Sequence, residues 1–145
     1  MRIFNHFTSF QEVPNHLSLC ISVKGCPLNC KGCSWTGFES ALNFSIDDLK
    51  HLLDRYGNYL SCVCFLGGEW ETDLPEFLKV VKAYNLKTCL YTGLLEVDEK
   101  IRSQLDYLKT GPYIESLGGL QKKTTNQIFI DVKTGENLNH YFIKE

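Results

Sequence analysis

The sequence predicts an α/β fold, one domain built on a mostly parallel sheet. Short apolar runs that read as strands alternate with apolar stripes at helical spacing, and such alternation generates right-handed βαβ units. The run Leu60-Ser61-Cys62-Val63-Cys64-Phe65-Leu66 is almost continuously apolar, as expected of a strand buried on both faces of a parallel sheet. With 145 residues and 43% hydrophobic content the chain can bury one core, and no repeat, low-complexity segment or linker divides it. Pattern alone leaves two windings open, a doubly wound sheet or part of a barrel. A closed eight-unit barrel, typically about 250 residues, is excluded.

Each element has its own local cause. Phe4, Phe7, Phe10 and Val13 mark a short strand or loop that turns at Pro14-Asn15 into a strong strand at 18–24. The segment 34–44 holds Trp35, Phe38 and Phe44 without clear periodicity. Ser45 opens a helix, its hydroxyl placed to cap the Asp48 amide and Phe44 placed to staple onto Leu49. Ile46, Leu49, Leu52, Leu53 and Tyr56 make one apolar stripe, and Gly57 ends it. The buried strand then runs to Leu66 and stops at Gly67-Gly68. Asp73 is expected to cap the next helix, with Pro75 in its first turn and Glu76 at the capping-box position. Phe77, Leu78, Val81 and Tyr84 form that helix's buried face, and Asn85 closes it. Lys87 to Thr92 reads as a third strand, ending at Gly93. Val97, Ile101 and Leu105 line a short helix opened by Asp98-Glu99, and Leu105 to Lys109 is a weaker fourth strand ended by Thr110-Gly111-Pro112. A fifth strand, Gln127 to Val132, alternates Ile128, Ile130 and Val132. Gly135-Glu136-Asn137 then turns the chain into a last extended piece, Asn139 to Ile143.

Charge and composition exclude several roles. The formal net charge is -2, with Lys and Arg scattered, so no basic field for nucleic acid or an anionic membrane is expected. Apolar runs such as Cys62 to Leu66 are far too short to span a bilayer. The start, Met1-Arg2-Ile3-Phe4-Asn5-His6, lacks the apolar core of a signal peptide, so the expected location is cytoplasmic. There the seven cysteines are free thiols rather than a disulfide framework.

Chemistry concentrates in Gly25-Cys26-Pro27-Leu28-Asn29-Cys30-Lys31-Gly32-Cys33, where three thiols are spaced C-x3-C-x2-C just after the first strong strand. Loops at that end of parallel strands are where ligands bind. Soft thiolates suit zinc or an iron–sulfur cluster, and three of them leave a metal position open for a substrate. Zinc loops usually pair two C-x2-C hooks or recruit histidine at fixed spacing, and His16 and His51 stand at no such spacing. Ferredoxin clusters take a fourth thiolate in different runs. Gly67-Gly68-Glu69 ends the second strong strand; its glycines permit close backbone approach to a ligand, and its acid suits an ammonium. Cys20, Cys62, Cys64 and Cys89 lie in strands and read as small core hydrophobes. His6, His16, His51 and His140 form no triad with a nucleophile, and Asp131 with Lys133 reads as an ordinary polar edge.

The thiol loop resembles the signature of the radical S-adenosylmethionine superfamily, whose three thiolates hold a [4Fe-4S] cluster with one iron open to the cofactor's amino and carboxylate groups. Gly67-Gly68-Glu69 looks like its glycine-rich motif, which receives the methionyl amino group. A third match narrows the family. Leu108-Lys109-Thr110-Gly111-Pro112-Tyr113-Ile114-Glu115, Leu117-Gly118-Gly119-Leu120 and Thr124-Thr125-Asn126-Gln127 resemble the activating component of anaerobic (class III) ribonucleoside-triphosphate reductases. Val13-Pro14-Asn15-His16-Leu17-Ser18-Leu19 fits as well, so the likeness runs from about residue 13 to 132.

The resemblance implies a partial, open βα barrel with cluster ligands Cys26, Cys30 and Cys33. It places S-adenosylmethionine against Gly67, Gly68, Glu69, Gly32 and Ser34, with Trp35 as an aromatic wall and Lys109 and Asn126 as further contacts. It implies reductive cleavage to methionine and a 5′-deoxyadenosyl radical, which takes hydrogen from a glycine Cα of the reductase. The cofactor carries the hard chemistry, so no catalytic side chain beyond the cluster and cofactor is expected. Reduced flavodoxin or ferredoxin would supply the electron. Two positions depart from the pattern. Gly32 stands where many superfamily members have an aromatic residue, and Thr110 stands where many reductase activases have Asp. The competing readings are an activase of another glycyl-radical enzyme of formate-lyase type, a small-molecule enzyme of the superfamily, or a zinc-stabilised binding module without catalysis.

Overall fold

The structure is a computed structural model that describes residues 1–25 and 41–143. Its strands are β1 (Arg2–Ser9), β2 (Ser18–Val23), β3 (Leu42–Asn43), β4 (Cys62–Leu66), β5 (Lys87–Tyr91), β6 (Tyr107–Thr110) and β7 (Ile128–Asp131), and its helices are α1 (Ile46–Tyr56), α2 (Leu74–Ala83) and α3 (Glu99–Arg102). They form an α/β domain around one mixed seven-stranded sheet in the order β3-β1-β2-β4-β5-β6-β7. β2, β4, β5 and β6 are parallel, while β1, β3 and β7 run antiparallel to their neighbours.

The winding left open by the sequence is decided by the order of the parallel strands. The chain steps β2, β4, β5, β6 in one direction without reversing. Right-handed crossovers taken repeatedly in one direction put their helices on one face, whereas a doubly wound sheet needs a reversal point. Side chains alternate accordingly along each strand. Leu19, Ile21, Val23, Val63, Phe65, Leu90 and Leu108 face α1, α2 and α3 and form the larger core. Each fully buried Leu or Phe in it contributes roughly 1.5–3 kcal/mol. Cys20, Cys62, Cys64, Leu66, Cys89 and Phe129 occupy the opposite face, covered by Val13, Leu120 and Leu138. Among the described residues no helix is long and apolar enough to cross a membrane.

Most local expectations hold. All five residues of β4 are buried. The Ser45 hydroxyl accepts from the Asp48 amide at 3.1 Å, and Asp48 accepts from the Ser45 amide at 2.8 Å, closing a full capping box on α1. Asp98 caps α3 through the Lys100 amide, and Asn85 ends α2's turn with φ 60°.

Three expectations are corrected. Asp73 precedes α2 but makes no capping bond; its backbone is already helical (φ -93°, ψ 0°), so the carboxylate is not aimed back at the first-turn amides as an extended N-cap would aim it. It accepts instead from the Met1 ammonium at 2.9 Å. In the fifth strand Ile130 and Val132 pack against the larger core as the alternation predicts, but Ile128 is 44% exposed and Phe129, fully buried on the thiol face, is the strand's anchor. The expected extended piece at 139–143 contains a 3₁₀ turn, Asn139–Tyr141. The cause is the Asn139 amide, which acts as a substitute peptide: its oxygen accepts from Phe129 N at 2.8 Å and its nitrogen donates to Gln127 O at 2.9 Å. The chain then turns inward, and the Phe142 ring packs tilted against Phe129, 4.9 Å between ring centroids and 52° between planes.

Candidate functional site

Parallel pairing brings the C-terminal ends of β2, β4, β5 and β6 to one edge of the sheet. The register pairs Ser22 with Leu66 and Leu66 with Tyr91, so the residues after each strand meet at one level. Backbone bonds extend the ladder beyond the strands: Gly67 N donates to Tyr91 O at 2.8 Å, and Thr92 N to Lys109 O at 2.9 Å. Gly111 N donates to Leu94 O at 2.8 Å. Because β7 is antiparallel, Asn126 and Gln127 enter at the same edge. Lys24-Gly25, Gly67-Gly68-Glu69, Thr92, Lys109 and Asn126 therefore converge from chain positions up to a hundred residues apart.

The glycine–acid turn is sterically specified. Gly67 has φ 87° and Gly68 φ 115°, which L side chains rarely adopt. A Cβ on Gly67 would lie 2.6 Å from the Trp70 ring, and one on Gly68 3.2 Å from Val23. The turn closes with Glu71 N donating to Gly68 O at 2.9 Å.

Burial pushes the Glu69 carboxyl above its ordinary range, against the Thr92 hydroxyl, the Glu69 amide and the Lys109 charge, which pull it down. Its Oε1 is buried with no hydrogen-bond partner among the described residues, and so is Asn126 Oδ1. An unpaired buried oxygen costs about 1–3 kcal/mol, and a ligand that donates to it would remove that cost. Lys109 is 4% exposed. Its ammonium donates to Gly111 O at 3.2 Å and lies 5.6 Å from the Tyr91 ring centroid. Gln127 donates to the same carbonyl at 3.3 Å, and Asn126 donates to Pro112 O at 3.0 Å. A buried acid with an open oxygen, a cation and an amide around two glycines suit a zwitterionic amino-acid group.

Six of the expected site residues lie outside the described ones: Cys26, Cys30, Cys33, Gly32, Ser34 and Trp35. The other five, Gly67, Gly68, Glu69, Lys109 and Asn126, share the edge just described. Among the described residues no group of His, Cys, Asp and Glu is arranged to hold a metal ion.

The remaining thiols are apolar filling. Cys20, Cys64 and Cys89 are register neighbours across β2, β4 and β5, and all four strand cysteines are free and fully buried. Desolvation raises Cys64 and Cys89 and pushes Cys62 up to about 12. Cys20 is raised first by its contact with Cys64. Such thiols stay protonated and unreactive. His16, at the opposite end of the strands, is held by Ser61 Oγ at 2.7 Å and the Tyr107 hydroxyl at 3.1 Å.

Sequence reasoning passed over Trp70, Thr92 and Tyr91. Thr92 touches Glu69 only through strand register. Tyr91 donates to Glu12 O at 2.6 Å across 79 positions, which no local pattern encodes. Trp70 had a visible signal, a large aromatic set directly behind a glycine–acid turn. No family model, curated protein or solved structure matches the chain.

Proposed function

We propose that the chain is a radical S-adenosylmethionine enzyme that activates an anaerobic ribonucleoside-triphosphate reductase by making a glycyl radical on it. The supporting observation is the buried Glu69 oxygen, without a hydrogen-bond partner among the described residues, in a glycine turn level with the strand end that precedes Cys26, Cys30 and Cys33 in the chain. Bound by those thiolates, a [4Fe-4S] cluster would supply the electron that splits the cofactor's sulfonium. This chain's own residues bind and orient. Glu69 accepts from the methionyl ammonium, Gly67 and Gly68 let the backbone approach it, and Lys109 with Asn126 faces the carboxylate. Gly32, Ser34 and Trp35 complete the cofactor's surroundings in this reading.

One-directional winding with helices on one face agrees with an open barrel fraction of the radical S-adenosylmethionine type. An open side would admit a glycine on a protein loop, and the partner surface would exclude water. The reading includes a cytoplasmic location and reduced flavodoxin or ferredoxin as donor.

Anaerobic reconstitution tests it. Iron and sulfide near four each per chain are expected, with 5′-deoxyadenosine released after dithionite and S-adenosylmethionine. With a class III reductase present, a glycyl radical should appear by electron paramagnetic resonance. Stoichiometric zinc without sulfide, and no 5′-deoxyadenosine, would establish the zinc-module alternative. A radical formed on a formate-lyase-type enzyme but not on the reductase would reassign the partner.

A further inference from the structure

We infer that Trp70 is a positioning residue: its indole fastens the end of β2 to the glycine–acid turn and thereby sets cofactor affinity. The inference rests on the proposed function and names a determinant of the same site.

The indole meets both loops at once. Its Nε1 donates to Lys24 O at 2.7 Å, the residue after β2 whose own amide donates to Arg2 O at 2.9 Å. Its six-membered edge lies over Gly67, where a Cβ would fall 2.6 Å away. Gly25, with φ 105°, completes the seat: a Cβ there would lie 3.0 Å from Nε1. Two glycines from different loops thus make room for one ring. Tryptophan suits the position because it joins a long rigid plane to a single donor at one end. Gly68 likewise runs close to β2, since a Cβ there would fall 3.2 Å from the Val23 side chain.

The consequence follows from what a cofactor's amino-acid end would touch. It would be gripped by the glycine–acid turn, which the indole holds against Lys24 and Gly25 at the end of β2, so affinity depends on that spacing. Small errors in such spacing are costly in pre-organised sites. Trp70 also follows Glu69 directly, so the ring that grips Lys24 fixes the backbone carrying the acid.

Trp70→Phe keeps a ring over Gly67 and deletes the donor. In the full chain, before and after reconstitution, amide exchange at Gly25, Gly67, Gly68 and Glu69 should quicken about tenfold, with Cys64 and Phe65 unchanged. Iron and sulfide content should match the wild type, while the Kd for S-adenosylmethionine rises about fivefold, the loss of one hydrogen bond's worth of pre-organisation. Unchanged exchange would overturn the clamp. Faster exchange with an unchanged Kd would overturn its positioning role, and loss of iron or of the folded state would reduce Trp70 to packing. If the wild-type chain takes up no cluster and binds no cofactor, the functional reading fails, and exchange in the metal-free chain alone decides the clamp.

Discussion

Two carboxylates show how residue-level burial is turned to opposite ends. Asp106 and Glu69 are both withdrawn from water, which by itself raises a carboxyl group. At Asp106 this is outweighed by Lys82, the Thr88 amide and Lys133, and the group is held down at about 2. At Glu69 the Thr92 hydroxyl, the Glu69 amide and Lys109 fall short, and the group stays raised. A raised acid is favoured by folding in its protonated form, so its ionisation costs stability as pH rises through the shifted value. Glu69→Gln should therefore leave the thermal midpoint at pH 7 unchanged or higher, while weakening S-adenosylmethionine binding tenfold or more. Melting curves and equilibrium binding check both halves; a clear fall in midpoint would show that the acid is structural. A group kept at a cost to the fold is what a ligand site requires.

At the scale of elements, capping shows when local sequence suffices. Ser45 and Asp48 share an exposed turn with an extended cap backbone, and each satisfies the other's amide. Ser45→Ala should cost about 1 kcal/mol, a drop of roughly 3 °C in thermal midpoint; no change would mean that α1's apolar face alone fixes its start. Asp73 carries equally good local chemistry and does not cap, because the approach from the glycine–acid turn sets its backbone helical and the Met1 ammonium takes its carboxylate. At 139–143 an Asn139 amide mimics a strand partner and turns the chain. The weak signal there, a few apolar residues without period, could not distinguish extension from a side-chain-paired turn.

Across the whole molecule, the two ends of the parallel strands do different work. The end away from the glycine–acid turn is closed by Asp106, which joins Lys82 of α2, Thr88 of β5 and Lys133 beyond β7. Its folded value lies below the ordinary carboxylate value of 3.8, so its stabilisation is complete above that pH and is lost as pH falls from about 4 to about 2. The amount is on the order of 2 kcal/mol. Asp106→Asn should lower stability at pH 7 by about that much and flatten the acid limb of unfolding measured between pH 4 and 2. An acid limb unchanged in the variant would place the acid sensitivity elsewhere. The opposite end carries the raised acid, the buried lysine and the positive-φ glycines, as parallel α/β folds commonly divide stability from ligand binding.

The sequence by itself determined the α/β class, the strands through β4, β5 and β6, the Ser45 N-cap of α1 and the residue types of the glycine–acid turn. These depend on periodicity and on contacts within a few residues. Only the tertiary structure decided the one-directional winding, the antiparallel flanks and the convergence of Glu69, Thr92, Lys109 and Asn126. It also decided the grip of Trp70 on Lys24. Such features depend on which strands lie side by side, and the free energy that settles this comes from packing between segments distant in the chain, where no local pattern records the partner.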